Sequence, residues 1–199
     1  MIHENRGLNE HIRDVTRRVA KAGFIGFGLD LLSRQGGTAA FVDPEQAATA
    51  YNRTRPEERR QDILSALYTL LEQKYVAGKV GIVGFCAGGG NVWDAAVNTD
   101  KLSAAVVFYG TPLPPTEAIA NLTAPVLAIY AELDRNTNAR LPAIFTTLTD
   151  QRKTFGIHVY ENTNHAFHND TGARYDPGAA CDAWAKTIAF FSRHLSSGA

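Results

Sequence analysis

The chain has 199 residues, 45% hydrophobic and 20% charged, and its 20 lysines and arginines balance its 20 aspartates and glutamates. That length fits one domain with a full core, and balanced charge without a basic tract argues against nucleic acid or an anionic membrane as partner. Neither an 18-residue apolar run nor a charged-then-apolar leader occurs in these residues, and two cysteines make neither a disulfide framework nor a metal cage, so the expectation is a cytoplasmic chain with no metal.

In chain order, Met1 to His3 reads as the tail of a strand that runs straight into a loop. An α/β domain seldom opens on an interior strand, so N-terminal edge strands are expected to be missing. Asn9 can cap a helix whose Ile12, Val15 and Val19 share one face, with Gly23 as its stop. Phe24 to Leu29 is a strand candidate. Pro56, after Thr54, suits a first helical turn, and Ile63, Leu64, Leu67, Leu70 and Leu71 form a buried stripe ahead of Gly78. Four further strands are predicted at Lys79 to Phe85, Ala104 to Tyr109, Pro125 to Tyr130 and Phe155 to Tyr160. A last helix, about Ala179 to His194, turns Trp184, Ile188 and Phe191 inward and makes Cys181 a core thiol. Short β-rich runs alternating with amphipathic ones predict an α/β fold, a mostly parallel twisted sheet with helices on both faces, in a single domain over residues 1–199.

One strand end carries chemistry. Gly84-Phe85-Cys86-Ala87-Gly88 matches G-x-nucleophile-x-G, in which the nucleophile occupies a strained strand-to-helix turn and the flanking glycines relieve backbone crowding. The Ala87 N–H would face the same space at a helix N-terminus, where an anion is favoured. A buried cysteine before a glycine-eased helix is the plain alternative. Asp134 follows the run Val126 to Tyr130, and His165 follows Phe155 to Tyr160, so both fall on the rim where open α/β sheets keep their sites. The order nucleophile, acid, histidine is that of α/β-hydrolases, in which imidazole takes the nucleophile's proton and a carboxylate fixes its tautomer. Glu132 is the rival acid, and capping the helix at Asn136-Thr137 is the plain role for Asp134. His168 beside His165 lacks a third metal ligand. His158 reads as packing or surface, and His3, His11 and His194 offer no constellation.

With these residues in hand the chain resembles the dienelactone hydrolase family (carboxymethylenebutenolidases), through "HENRGLN", "DLLSRQGGT", "KVGIVGFCAGGG", "APVLAIYAELD" and "NHAFHND" and through separations of 48 and 31 positions between the three candidates. The resemblance implies an α/β-hydrolase fold with Cys86 as nucleophile, Asp134 as acid and His165 as base. It implies Glu4 as a glutamate that modulates the thiol, the Asn5 and Ala87 N–H groups as oxyanion hole, Arg34 as a contact to a substrate carboxylate, and no cofactor. The chain departs from the family at Asn169, where the member that hydrolyses dienelactone has a second arginine. A carboxylate substrate thereby loses a partner worth roughly 1.5–3 kcal/mol. It departs also at its start, since members carry strands ahead of "IHENRG". Exposed edges there would be covered by a second copy, giving a homodimer, and relatives with "HENRG" carry export signals, so a longer precursor could be exported.

Sulfur is a better leaving group than an alkoxide, so a thiol nucleophile favours activated esters, thioesters and lactones over amides. The expected function is hydrolysis of small carboxylic esters or lactones through an acyl-thioester. A binding or interaction protein that keeps the fold without catalysis is the second reading. Redox sensing by Cys86 is the third, and it lacks a nearby resolving cysteine.

Overall fold

The computed structural model describes residues 1–196. In chain order it forms α1 (Glu10–Lys21), α2 (Pro44–Arg53), α3 (Pro56–Leu71), β1 (Gly81–Phe85), α4 (Ala87–Ala96), β2 (Ala104–Phe108), β3 (Val126–Ala131), α5 (Arg135–Asn138), α6 (Leu141–Asp150), β4 (Phe155–Tyr160) and α7 (Pro177–Leu195). The strands lie in the order β1-β2-β3-β4, all parallel, with Val83 opposite Val106, Val106 opposite Leu127 and Ile129 opposite His158. β2 and β3 are buried along their whole length, as continuous apolar runs in a two-faced parallel sheet require.

Strand alternation divides the core between the two faces. Ile82, Ala105, Val107 and Ala128 pack with Tyr51 of α2, Ile63 and Leu67 of α3, Trp93 of α4 and Ile144 of α6. Val83, Phe85, Val106, Phe108 and Ile129 point the other way, onto Ile12 and Val15 of α1 and Ala180, Ala183 and Phe191 of α7. Asn9 caps α1 as expected, its side chain accepting from the Ile12 N–H at 3.1 Å. No helix among the described residues is long and apolar enough to cross a membrane.

Some sequence expectations are corrected. Phe24 to Leu29 does not form a strand. It contributes a single parallel bridge from Leu29 to Ile2, which bridges Gly84 on its other side. Met1 meets it through two hydrogen bonds, Met1 N donating to Phe27 O at 2.8 Å and Leu29 N donating to Met1 O at 3.2 Å. An apolar cavity of about 270 Å³ lies beside these segments, between Phe24, Ile25 and Phe27 and the amino end of β1. α3 stops at Leu71, short of Gly78. α7 begins at Pro177 on an Asp176 cap, and its buried line is Ala180, Ala183, Thr187 and Phe191, with Trp184 and Ile188 half-buried. Cys181, next to that line but on the outer face, is exposed and is not a core thiol.

Candidate active site

The elbow takes the backbone form its glycines imply. Cys86 lies between β1 and α4 at φ 55°, ψ −121°, a conformation that costs a non-glycine residue about 1–3 kcal/mol and persists only where the surroundings enforce it. They do so here through three hydrogen bonds. The Cys86 N–H donates to Phe108 O at 3.0 Å, and its carbonyl accepts from Gly90 N at 3.2 Å and Thr111 N at 3.3 Å. A Cβ on Gly84 would lie 2.3 Å from Gly88 O, and one on Gly88 would lie 2.3 Å from His3 O and 2.6 Å from Ile2 O. Gly88 therefore lets the Ile2–His3 backbone pass against the first turn of α4, which brings Glu4 to the elbow. Gly88→Ala should lower unfolding stability by about 1–3 kcal/mol, seen as a lower denaturant midpoint at unchanged slope. An unshifted midpoint would show that the Ile2–His3 segment is not held there.

Asp134 and His165 meet at the same end of the sheet. Asp134 follows β3 and His165 follows β4, and the Asp134 Oδ2 to His165 Nδ1 distance is 2.5 Å. The other Asp134 oxygen accepts from the Thr137 N–H at 3.5 Å and caps α5, so the helix-cap role and the contact to imidazole coexist on one carboxylate. Glu132 is turned away and accepts from the Asn162 N–H at 2.8 Å, which closes the loop after β4. Tyr109, at the end of β2, places its ring centroid 5.0 Å from that of His165. Cys86, Tyr109 and Ala166 all hold positive φ, so three of the chain's strained non-glycine residues border this one space. Among the described residues the His165 ring bonds to Asp134, and no hydrogen bond joins it to Cys86 Sγ.

Glu4 supplies a second carboxylate. It is buried, Oε2 accepts from Asn169 Nδ2 at 3.0 Å, and Oε1 has no partner. Burial, followed by the negative charge of Glu4, pushes the Cys86 thiol up to about 11. The Ala87 N–H, the larger of the opposing influences, and the Arg174 cation pull it down. The Asn5 N–H donates to no protein acceptor among the described residues. Arg34 is not joined to this cluster. Its guanidinium bonds both oxygens of Asp62 on α3, at 2.6–3.1 Å, so its charge is already matched.

Three other histidines are packed or bonded within the fold. His168 stacks on Phe85 at 5.2 Å, and burial drives its imidazole down to about 3, so it stays neutral. His3 is fully buried, its ring taking the Leu31 N–H at 2.9 Å. His11 bonds Asp170 at 2.9 Å, and Arg18 bonds the same carboxylate, which ties the segment after His165 to α1. The described residues hold no cluster of three or more metal-ligating side chains. Sequence reading missed Tyr109, the tie at Asp170 and the position of Arg174. For Asn169 it noted a departure from the family and missed the partner.

Comparison with known proteins places this arrangement in context. The sequence profile described as "Dienelactone hydrolase family" matches residues 1–195. A provisionally named carboxymethylenebutenolidase of Saccharolobus solfataricus is 30% identical, across 97% of this chain and 88% of that protein. A Bradyrhizobium protein, provisionally named 2-oxo-3-(5-oxofuran-2-ylidene)propanoate lactonase, is also 30% identical, across 95% and 80%. The crystal structure of a provisionally named dienelactone hydrolase from Klebsiella pneumoniae superposes with a TM-score of 0.84 at 27% identity, covering 96% of this chain and 84% of that one.

Proposed function

Since this chain belongs to the dienelactone hydrolase family, we propose that it hydrolyses small activated esters or lactones through an acyl-thioester on Cys86, with His165 as base and Asp134 as its partner. The observation that carries the reading is the 2.5 Å contact between Asp134 and His165, held at the strand ends beside a strained cysteine. Because burial and Glu4 keep the resting thiol protonated near neutral pH, attack needs a base at the moment of reaction. Substrate entry brings the imidazole and the sulfur within hydrogen-bond reach, a contact that is often long in an empty site. Sγ then bonds the acyl carbon while its proton passes to His165 Nε2. The oxyanion meets the Ala87 and Asn5 N–H groups, where fixed donors act before any solvent can reorganise. Collapse of the tetrahedral intermediate breaks the bond to the leaving oxygen, which takes the proton from His165. Water, deprotonated by the same ring, attacks the thioester carbonyl and releases the acid and the thiol.

Alkylation tests the reading against a protein that only binds. In a Cys181→Ser background, which removes the exposed thiol, iodoacetamide should modify Cys86 at a rate that climbs with pH toward about 11. A competing enol lactone or 4-nitrophenyl ester should slow that modification at least tenfold. A rate unaffected by ester, together with no ester turnover, would overturn the hydrolytic assignment in favour of a binding protein.

A further inference from the structure

The hydrogen bonds of the fully buried His3 ring settle its tautomer. Nε2 lies 2.9 Å from the Leu31 backbone nitrogen, whose N–H can only donate, so Nε2 accepts and the ring proton sits on Nδ1. Nδ1 lies 2.5 Å from the Glu4 carbonyl oxygen and donates to it. Burial holds the ring neutral. Asp30 Oδ1 is 3.8 Å from Nε2, but the Asp30 oxygens are taken by the Leu32 N–H and by the N–H and hydroxyl of Thr38, at 2.7–3.0 Å. Asp30 therefore does not draw the proton to Nε2, and the same three bonds fold the segment that presents the Leu31 N–H.

Glu4 O has a second donor, the Gly7 N–H at 3.3 Å, which closes a tight turn over residues 4–7. Two donors occupy both lone-pair sites of this carbonyl and fix the plane of the Glu4–Asn5 peptide. In a planar trans peptide the N–H points opposite to the C=O. With Glu4 O turned to the buried His3 ring, the Asn5 N–H faces away from it, and it donates to no protein acceptor among the described residues. This peptide lies at the elbow on geometric grounds. Ile2 O accepts at 3.3 Å from the N–H of Phe85, one residue before the thiol, and a Cβ on Gly88 would lie 2.3 Å from His3 O, so the chain runs past the Cys86 turn on its way to Asn5.

We propose that His3 is a positioning residue for the oxyanion hole: its Nδ1–H holds the Glu4 carbonyl so that the Asn5 N–H is aimed at the space above the Cys86 thiol. The inference rests on Cys86 being the nucleophile, and it extends that reading to a side chain whose hydrogen bonds go only to Leu31 and Glu4 among the described residues. A donor preset toward developing charge acts mainly in the transition state, so its loss falls on kcat and not on KM. The Leu31 N–H acts at one remove, because it decides which ring nitrogen carries the proton.

Two substitutions separate the ring's two bonds. Glutamine carries an amide oxygen near the place of Nε2, and asparagine carries an amide NH2 near the place of Nδ1. His3→Gln should keep the bond from Leu31 and lose the one to Glu4, so kcat for 4-nitrophenyl acetate should fall about tenfold or more with KM little changed. His3→Asn should turn over at least about fivefold faster than His3→Gln, although it strands the buried Leu31 N–H and should unfold at a lower denaturant concentration. Activity and stability thus rank the two variants in opposite orders, which a merely structural histidine would not produce. Alkylation of Cys86 by iodoacetamide in the Cys181→Ser background displaces iodide without forming an oxyanion, and its rate should stay within about twofold of the parent in both variants. Apart from turnover, nitrogen NMR of the parent should place the His3 proton on Nδ1, and the residual dipolar coupling of the Asn5 N–H should change in His3→Gln and be kept in His3→Asn. A proton on Nε2, turnover that ranks with stability, or alkylation slowed as far as turnover would overturn the proposal, and the first of these is decisive even if neither variant folds. A parent without ester turnover, but with the ring proton and the Asn5 coupling as expected, would count against the hydrolytic reading alone.

Discussion

Replacing Cys86 by alanine should reduce the turnover of 4-nitrophenyl acetate or an enol lactone by about 10⁴-fold or more while leaving the fold and substrate affinity in place. The expected size follows from the position of the sulfur. Cys86 alone projects from the strained turn at the end of β1, and the other cysteine, Cys181, is exposed on the outer face of α7. In the proposed mechanism no bond to the acyl carbon can form without Sγ, and the amides of Ala87 and Asn5, the proposed oxyanion donors, can only polarise a carbonyl awaiting attack by water. Residual catalysis of that kind is real but small. The folding cost should also be small, because alanine keeps the Cβ and its backbone can still donate to Phe108 O and accept from Gly90 N and Thr111 N. A variant that kept turnover within tenfold of the parent would remove Cys86 from the mechanism and leave His165 as base to a water.

Much of this arrangement is legible in the sequence because single local causes produce it. β2 and β3 stand out as unbroken apolar runs since helices cover both their faces. The elbow stands out since only glycine fits at positions 84 and 88, where a methyl would strike Gly88 O and His3 O. Asp134 and His165 are readable from their places just past strand ends. Contacts across large separations have no such signature. The pairing of Asn169 with Glu4, and of Asp170 with His11, spans about 160 positions between polar residues that follow no period. Phe24 to Leu29 misleads for the opposite reason. Its composition suits a strand, but a strand exists only where a neighbouring backbone pairs with it, and the two hydrogen bonds it makes on this side both come from Met1. Cys181 lies one position from a buried line, and a one-residue step on a helix turns a side chain by about 100°.

Asp134→Asn should lower kcat by roughly 10³ to 10⁴-fold with little change in KM, and the cause lies on the far side of the carboxylate from the ring. One Asp134 oxygen takes the Thr137 N–H, a donor that an amide NH2 cannot satisfy. In the variant the amide oxygen must remain with Thr137, so the NH2 group is presented to His165 Nδ1. That nitrogen then has to accept, the ring carries its proton on Nε2, and the atom meant to receive the thiol proton already holds one. Stability should change little, since asparagine caps helices about as well as aspartate. Glu132→Gln is the matched control. Its carboxylate serves the Asn162 N–H, a bond that the glutamine oxygen can replace, so turnover should stay within about threefold of the parent. If the Glu132 variant fell by orders of magnitude while Asp134→Asn stayed active, the acid would belong two residues earlier. The 2.5 Å contact to His165 would then serve the fold and not proton transfer.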